Sequence, residues 1–146
     1  MRKLNGNVVI GVSDEPDIVL TQYALRDLRM NNPQIITRTL KELTAAVNPP
    51  PETNPAFCLV IIFVNDEAVI QQMAGLREKN REVFIVAVVE DPAFYGPIGA
   101  IENVRILQRR SIPTSFMFGN FIADAIRHPI GRLAPNKGEK AKSEKP

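Results

Sequence analysis

Few residues of this chain are suited to redox or metal chemistry. Its 146 residues include one cysteine and one histidine, which excludes a disulfide or a cysteine-rich metal site within one chain. No apolar run approaches the roughly 18 residues that a membrane span needs. The first residues also lack the charged, apolar and small-residue order of a signal peptide. We therefore expect a cytoplasmic protein that makes no membrane contact.

Motifs that cradle phosphates or activate a serine are absent as well. The sequence contains no Gly-rich phosphate loop, no Walker pattern and no Gly-x-Ser-x-Gly elbow. The lone His128 adjoins Pro129 at an expected helix end, without the partners that catalysis would need. We expect no cofactor, no metal ion, no catalytic residue and no enzymatic activity.

Charge is unevenly distributed along the chain. The net charge is +2, but the last eleven residues (136–146) contain four lysines, two glutamates and no large apolar residue. The preceding body is close to neutral, which argues against a nucleic-acid surface on it. We predict one folded domain over residues 1–130 and a polar basic tail or linker over 131–146.

Short apolar runs predict the strands. The runs 7–13, 57–64 and 83–89 are nearly continuous in Val, Ile, Leu and Phe, a pattern typical of parallel strands covered on both faces. A fourth run covers 104–108, and a weaker candidate covers 34–39. Asn48 to Pro55 contains four prolines and is predicted to be an extended loop.

Helical patterns fill the segments between these runs. Apolar spacing predicts helices over 17–31, 39–47, 66–79 and 114–127. The segment 91–103 carries two prolines and two glycines, so any helix there is short or broken. Strict alternation of strand and helix predicts a doubly wound α/β fold with a five-stranded parallel sheet.

The turn after the first strand carries a family resemblance. Gly11-Val12-Ser13-Asp14-Glu15-Pro16-Asp17 resembles the Val-Val-Asp-Asp-Glu-Pro turn of receiver domains in two-component response regulators. The resemblance extends by pattern over about residues 5–128. It implies the strand order 2-1-3-4-5, and it implies a cis peptide bond at Ile112–Pro113.

Most positions that carry receiver chemistry are replaced in this sequence. In such receivers two acids after strand one hold Mg²⁺, and an aspartate ending strand three accepts the phosphoryl group. Here Ser13 and Asp14 stand at the acidic pair, and Phe63 stands at the acceptor position. Val88 or Val89 replaces the Thr or Ser of strand four, and Ile112-Pro113 replaces the Lys-Pro pair. The resemblance therefore implies a degenerate pseudo-receiver with a vestigial pocket.

Two alternatives remain open. An atypical receiver would use Asp66 and Asp14, although Asp66 is also well placed to cap the next helix. A small-molecule-binding module of the flavodoxin-like kind would hold a ligand over the strand ends. Acids at three strand ends, including Glu90-Asp91, could form a rim that attracts a cation or a basic partner, but helix capping and loop solubility are the favoured explanation.

The preferred hypothesis is a phosphorylation-independent signalling or scaffolding domain that acts by protein–protein contact. In receivers, the fourth unit, strand five and helix five form the usual dimer and output face. The residues proposed for such a face are Phe94, Tyr95, Arg109, Arg110, Phe116 and Met117. We expect a homodimer or a protein partner to bind there.

Overall fold

The computed structural model describes residues 6–48 and 57–127. Five parallel strands form one sheet: β1 (Asn7–Gly11), β2 (Gln34–Ile36), β3 (Phe57–Val64), β4 (Phe84–Val89) and β5 (Val104–Gln108). Their order across the sheet is β2-β1-β3-β4-β5. The predicted doubly wound fold and its strand order are therefore confirmed. The predicted tail (131–146), His128 and most of the proline-rich loop lie outside the described residues.

Helices follow the strands in alternation. They are α1 (Glu15–Asp27), α2 (Leu40–Val47), α3 (Glu67–Lys79), α4 (Tyr95–Gly99) and α5 (Ser115–Arg127). Short 3-10 turns at Pro92–Phe94 and Arg109–Ser111 precede α4 and α5. The fourth unit is thus a broken and very short helix, as its prolines and glycines predicted.

Alternating side chains divide the interior into two hydrophobic clusters. One face of the sheet packs against α1 and α5 through residues such as Ile10, Ile61 and Val88. The opposite face packs against α2, α3 and α4 through residues such as Val9 and Ile62. Because successive residues of one strand enter opposite clusters, the central strands read as unbroken apolar runs.

Helix α1 is shorter than its sequence pattern predicted. It begins earlier, at Glu15, because Asp14 accepts the Asp17 N–H at 3.1 Å and Pro16 fits the first turn. It ends at Asp27 rather than Asn31, in a Schellman motif with Arg29 at a φ of 58°. The Met30 N–H donates to the Leu25 carbonyl at 3.0 Å, which fixes this ending.

None of the described peptide bonds is cis, and the bond before Pro113 is therefore trans. The expectation of a cis bond at Ile112–Pro113 is therefore wrong, and the resemblance to receiver domains is weaker at this point. The chain instead leaves β5 through a 3-10 turn, in which the Ile112 N–H donates to the Arg109 carbonyl at 3.2 Å. This turn directs the Ile112 side chain into the core.

Candidate functional site

A cleft of about 780 Å³ opens at the carboxyl ends of the strands. The segments following β1, β3 and β4 contribute to its wall, and so do the arginines that follow β5. β1 lies between β2 and β3, so the strand order reverses direction at β1. In open α/β sheets, ligands bind in the crevice at such a switch point.

Hydrogen bonds to Thr37 shape the β1 side of the cleft. The Thr37 hydroxyl donates to the Ile10 carbonyl at 3.0 Å and accepts the Val12 N–H at 3.2 Å. The Thr37 carbonyl accepts both the N–H (3.1 Å) and the hydroxyl (3.2 Å) of Ser13. Ser13 is buried, at 2% exposure, so its hydroxyl is committed to the neighbouring segment. The sequence reasoning missed Thr37, whose only local signal is its position just after a strand.

Val12 adopts a left-handed backbone conformation, with φ at 55°. This conformation is a genuine outlier for a β-branched residue, since its Cβ crowds the backbone. Such strain costs on the order of 1–3 kcal/mol and clusters at functional sites. The strain here is at the exact turn that lines the cleft.

Two apolar side chains form the floor of the cleft. Phe63, at 7% exposure, makes an edge-to-face contact with Phe118, with ring centroids 6.5 Å apart. Val88 on β4 pairs in register with Phe63 on β3 and is also buried. Ser13, Asp14, Phe63 and Val88 thus line the same cleft.

Two other residues predicted for this pocket lie elsewhere. Ile112 is 1% exposed and belongs to the core cluster beneath α5, and Pro113 is exposed outside the cleft. Neither residue lines the cleft. Both residues follow the 3-10 turn after β5, whose Arg109 and Arg110 do line the cleft.

Arg109 and Asp17 form an ion pair across the cleft mouth. The Nε and Nη2 of Arg109 lie 3.1 and 3.0 Å from one carboxylate oxygen of Asp17. Burial raises the pKa of Asp17, and the neighbouring Asp14 raises it further, against the lowering effect of Arg109. Arg109 was predicted as an interaction-face residue; the structure places it in the cleft, paired with an acid.

Arg110 connects the cleft to α4. When the Gln108 amide is turned so that its oxygen faces the neighbouring donors, this oxygen accepts from Nη2 and Nε of Arg110 at 2.8 and 2.9 Å. The same oxygen accepts the Tyr95 hydroxyl at 3.3 Å. Tyr95 and Phe94 are half-buried and pack against the α2–α3–α4 cluster. By contrast, Phe116 and Met117 on α5 are 66% and 45% exposed.

Most acids of the predicted rim have local structural roles. Asp66 accepts the Val69 N–H at 3.2 Å and caps α3, and it does not line the cleft. Asp91 accepts the Ala93 N–H at 2.9 Å, and Glu15 pairs with Arg38 at 2.9 Å. Among residues 6–48 and 57–127, no group of three His, Cys, Asp or Glu side chains could hold a metal ion.

Comparison with known proteins identifies no family. No family model matches the chain, and a search of curated proteins finds no match. Within the described residues, no helix is both long and apolar enough to cross a membrane.

Proposed function

We propose that this chain is a receiver-like interaction domain that works without phosphorylation and pairs with a second copy of itself. The contact surface is formed by Phe116 and Met117 on the first turn of α5, here called the α5 surface. The receiver-like strand order supports the proposal at the level of the fold. The replaced residues of the cleft support it at the level of chemistry.

The cleft wall supports independence from phosphorylation. A phenyl ring at the acceptor position has no nucleophilic atom, and its edge contact with Phe118 ties Phe63 to the core. The Ser13 hydroxyl is bonded to the Thr37 carbonyl, and Asp66 is engaged as a helix cap. The floor residues Phe63 and Val88 offer no oxygen ligand to a divalent ion and no donor to a phosphoryl group.

The observation that carries the proposal is the exposure of Phe116. Its residue surface is 66% exposed, whereas Phe118 two residues later is fully buried. Met117 adds a second apolar side chain to the same turn, at 45% exposure. A two-fold axis through this turn places each patch against its own copy, the isologous arrangement of most homodimers. Burial of both residues then removes apolar surface from water.

Sedimentation equilibrium of the full chain over a range of concentrations tests this assignment. We expect a monomer–dimer equilibrium that the double variant Phe116→Ser/Met117→Ser shifts at least about tenfold toward monomer. The matched control is Val19→Ser/Tyr23→Ser on α1, which removes two apolar side chains of 40% and 48% exposure. This control leaves the dissociation constant unchanged.

Independence from phosphorylation is tested by adding beryllofluoride and Mg²⁺ to the sedimentation samples and to a sample for amide NMR. We expect an unchanged dimer fraction and no amide shifts at Ser13 or Asp66. A concentration-independent monomer, or equal weakening by the control, rules out the α5 surface. Shifts at Ser13 and Asp66 would instead favour the atypical phosphate-accepting receiver.

A further inference from the structure

The cleft has the size and position of a small-molecule site. Its volume of about 780 Å³ lies in the range of ligand pockets, roughly 300–1,000 Å³. It lies at the switch point of the sheet, where the loops after β1 and β3 diverge. The strained Val12 backbone lies at this point too. None of these features is needed for contact through the α5 surface.

Apolar side chains form part of the inner wall. Val12, Phe63 and Val88 line it, together with the rings of Pro16 and Pro92. A rigid apolar wall of this kind favours a flat ring system over a flexible polar chain, because little conformational entropy is lost on binding. The exposed Asn65 amide at the end of β3 supplies both a donor and an acceptor at the rim.

The charges around the rim disfavour an anion. Three arginines and three carboxylates line the cleft. Two of the arginines are neutralised: Arg38 pairs with Glu15, and Arg109 pairs with Asp17. The remaining Arg110 donates to the Gln108 amide, and two further acids, Asp14 and Glu90, also line the cleft. A phosphate dianion therefore meets a slightly negative environment, whereas donors and acceptors of a neutral ligand both find partners.

We propose that this cleft binds an uncharged heteroaromatic molecule, namely a nucleoside or a comparable ring system without phosphate. The apolar wall contacts the ring face, and Asn65, Arg110 and Glu90 bind its polar edge. This site is additional to the α5 surface, and either assignment stands if the other fails.

Matched pairs that differ only in phosphate test the proposal. The full chain is titrated by amide NMR with adenosine and AMP, guanosine and GMP, and riboflavin and FMN. We expect shifts at Val12, Ser13 and Asn65 with at least one uncharged member. Its phosphorylated partner binds on the order of tenfold more weakly. Absence of cleft shifts in all three pairs, or tighter binding of the phosphorylated members, overturns the proposal.

A charge reversal at the rim tests the electrostatic part. Glu90→Lys replaces an exposed acid of the lining by a cation, and it should abolish or invert the preference for the uncharged member. Glu78→Lys makes the same change on an exposed position of α3 outside the cleft, and the preference should persist. An identical preference in both variants contradicts the proposal, because the cleft charge would then not select the ligand.

Discussion

The carboxyl group of Asp17 is subject to two opposing influences. Partial burial disfavours its charged form and raises its pKa, whereas the Arg109 guanidinium at 3.0 Å favours that form. Burial is the larger effect, so the pKa stays above its ordinary value of 3.8. The attraction of Arg109 therefore does not fully offset the cost of burying the Asp17 carboxylate.

Asp17 should make the fold less stable as the pH rises. Because its folded-state pKa is raised, the folded chain retains this proton after the unfolded chain has lost it. The folded state then binds more protons, and the free energy of unfolding falls as the pH rises from 3.8 through the folded pKa. Asp17→Asn removes this contribution, so its stability relative to the unmodified chain should increase over that window.

Urea unfolding at a series of pH values measures this effect. Asp27→Asn provides a matched control, because it removes an exposed carboxylate from the same helix. A relative stability of Asp17→Asn that falls as the pH rises would show that the Arg109 attraction exceeds the burial effect.

Arg77 is a buried cation that the sequence reasoning did not identify. At 4% exposure it donates to the backbone carbonyls of Asn80, Glu102 and Asn103 at 2.9–3.0 Å. Burial lowers the pKa of its guanidinium. A signal was present, because Arg77 follows Met73 by four residues on the apolar stripe of α3. Two of its three acceptors are 25 and 26 residues away, so no local pattern reveals them.

At the scale of elements, α1 and α5 pack closely where Gly119 faces α1. A Cβ at this position would lie 3.2 Å from the Ala24 carbonyl oxygen. That oxygen belongs to a regular helix and cannot move aside cheaply. Gly75 on α3 is also helical, but a Cβ there would have nothing within 4 Å.

Alanine at these two glycines should have opposite effects. Gly75→Ala should stabilise the protein by about 0.5–1 kcal/mol, because it reduces the entropy of the unfolded chain. Gly119→Ala gains the same term but should be net destabilising by about 1–3 kcal/mol, because it overpacks the α1–α5 contact. Chemical denaturation of both variants measures the difference. Stabilisation by Gly119→Ala would mean that the two helices can separate at little cost.

Helix starts were the local features that the sequence predicted best. Thr39 and Asp66 cap α2 and α3 through side-chain bonds to the Glu42 and Val69 N–H groups. Each such bond depends on residues three positions apart, so it is readable from the sequence. Helix and strand ends were less accurate, because β1 stops at Gly11 and α1 at Asp27 through contacts that depend on backbone geometry.

At the scale of the whole molecule, two hydrophobic clusters share one sheet. β3 contributes Ile61 to one cluster and its neighbour Ile62 to the other. Loss of either cluster removes one covered face from every central strand. The two layers should therefore unfold together.

The chain offers a direct test of this cooperativity, because it has two tyrosines and no tryptophan. Tyr23 lies on α1 and Tyr95 on α4, on opposite faces of the sheet. In the Tyr23→Phe variant the remaining tyrosine is Tyr95, so its fluorescence reports the α4 layer. In the Tyr95→Phe variant the remaining tyrosine is Tyr23, so its fluorescence reports the α1 layer. Each urea midpoint should coincide with the loss of helical circular dichroism in the same variant. A separate fluorescence midpoint in either variant would show that one layer unfolds independently.

The sequence by itself determined the fold class, the alternation of elements and several helix caps. These features arise from periodicity and from bonds between near neighbours, and both are written locally in the chain. Tertiary structure alone decided that Thr37 holds the turn after β1, that Ile112 enters the core, and that Arg109 meets Asp17 across 92 positions. Such contacts depend on how separate elements pack. The chemistry of the cleft is set by those contacts, because packing decides which side chains face the cleft and which become part of the core.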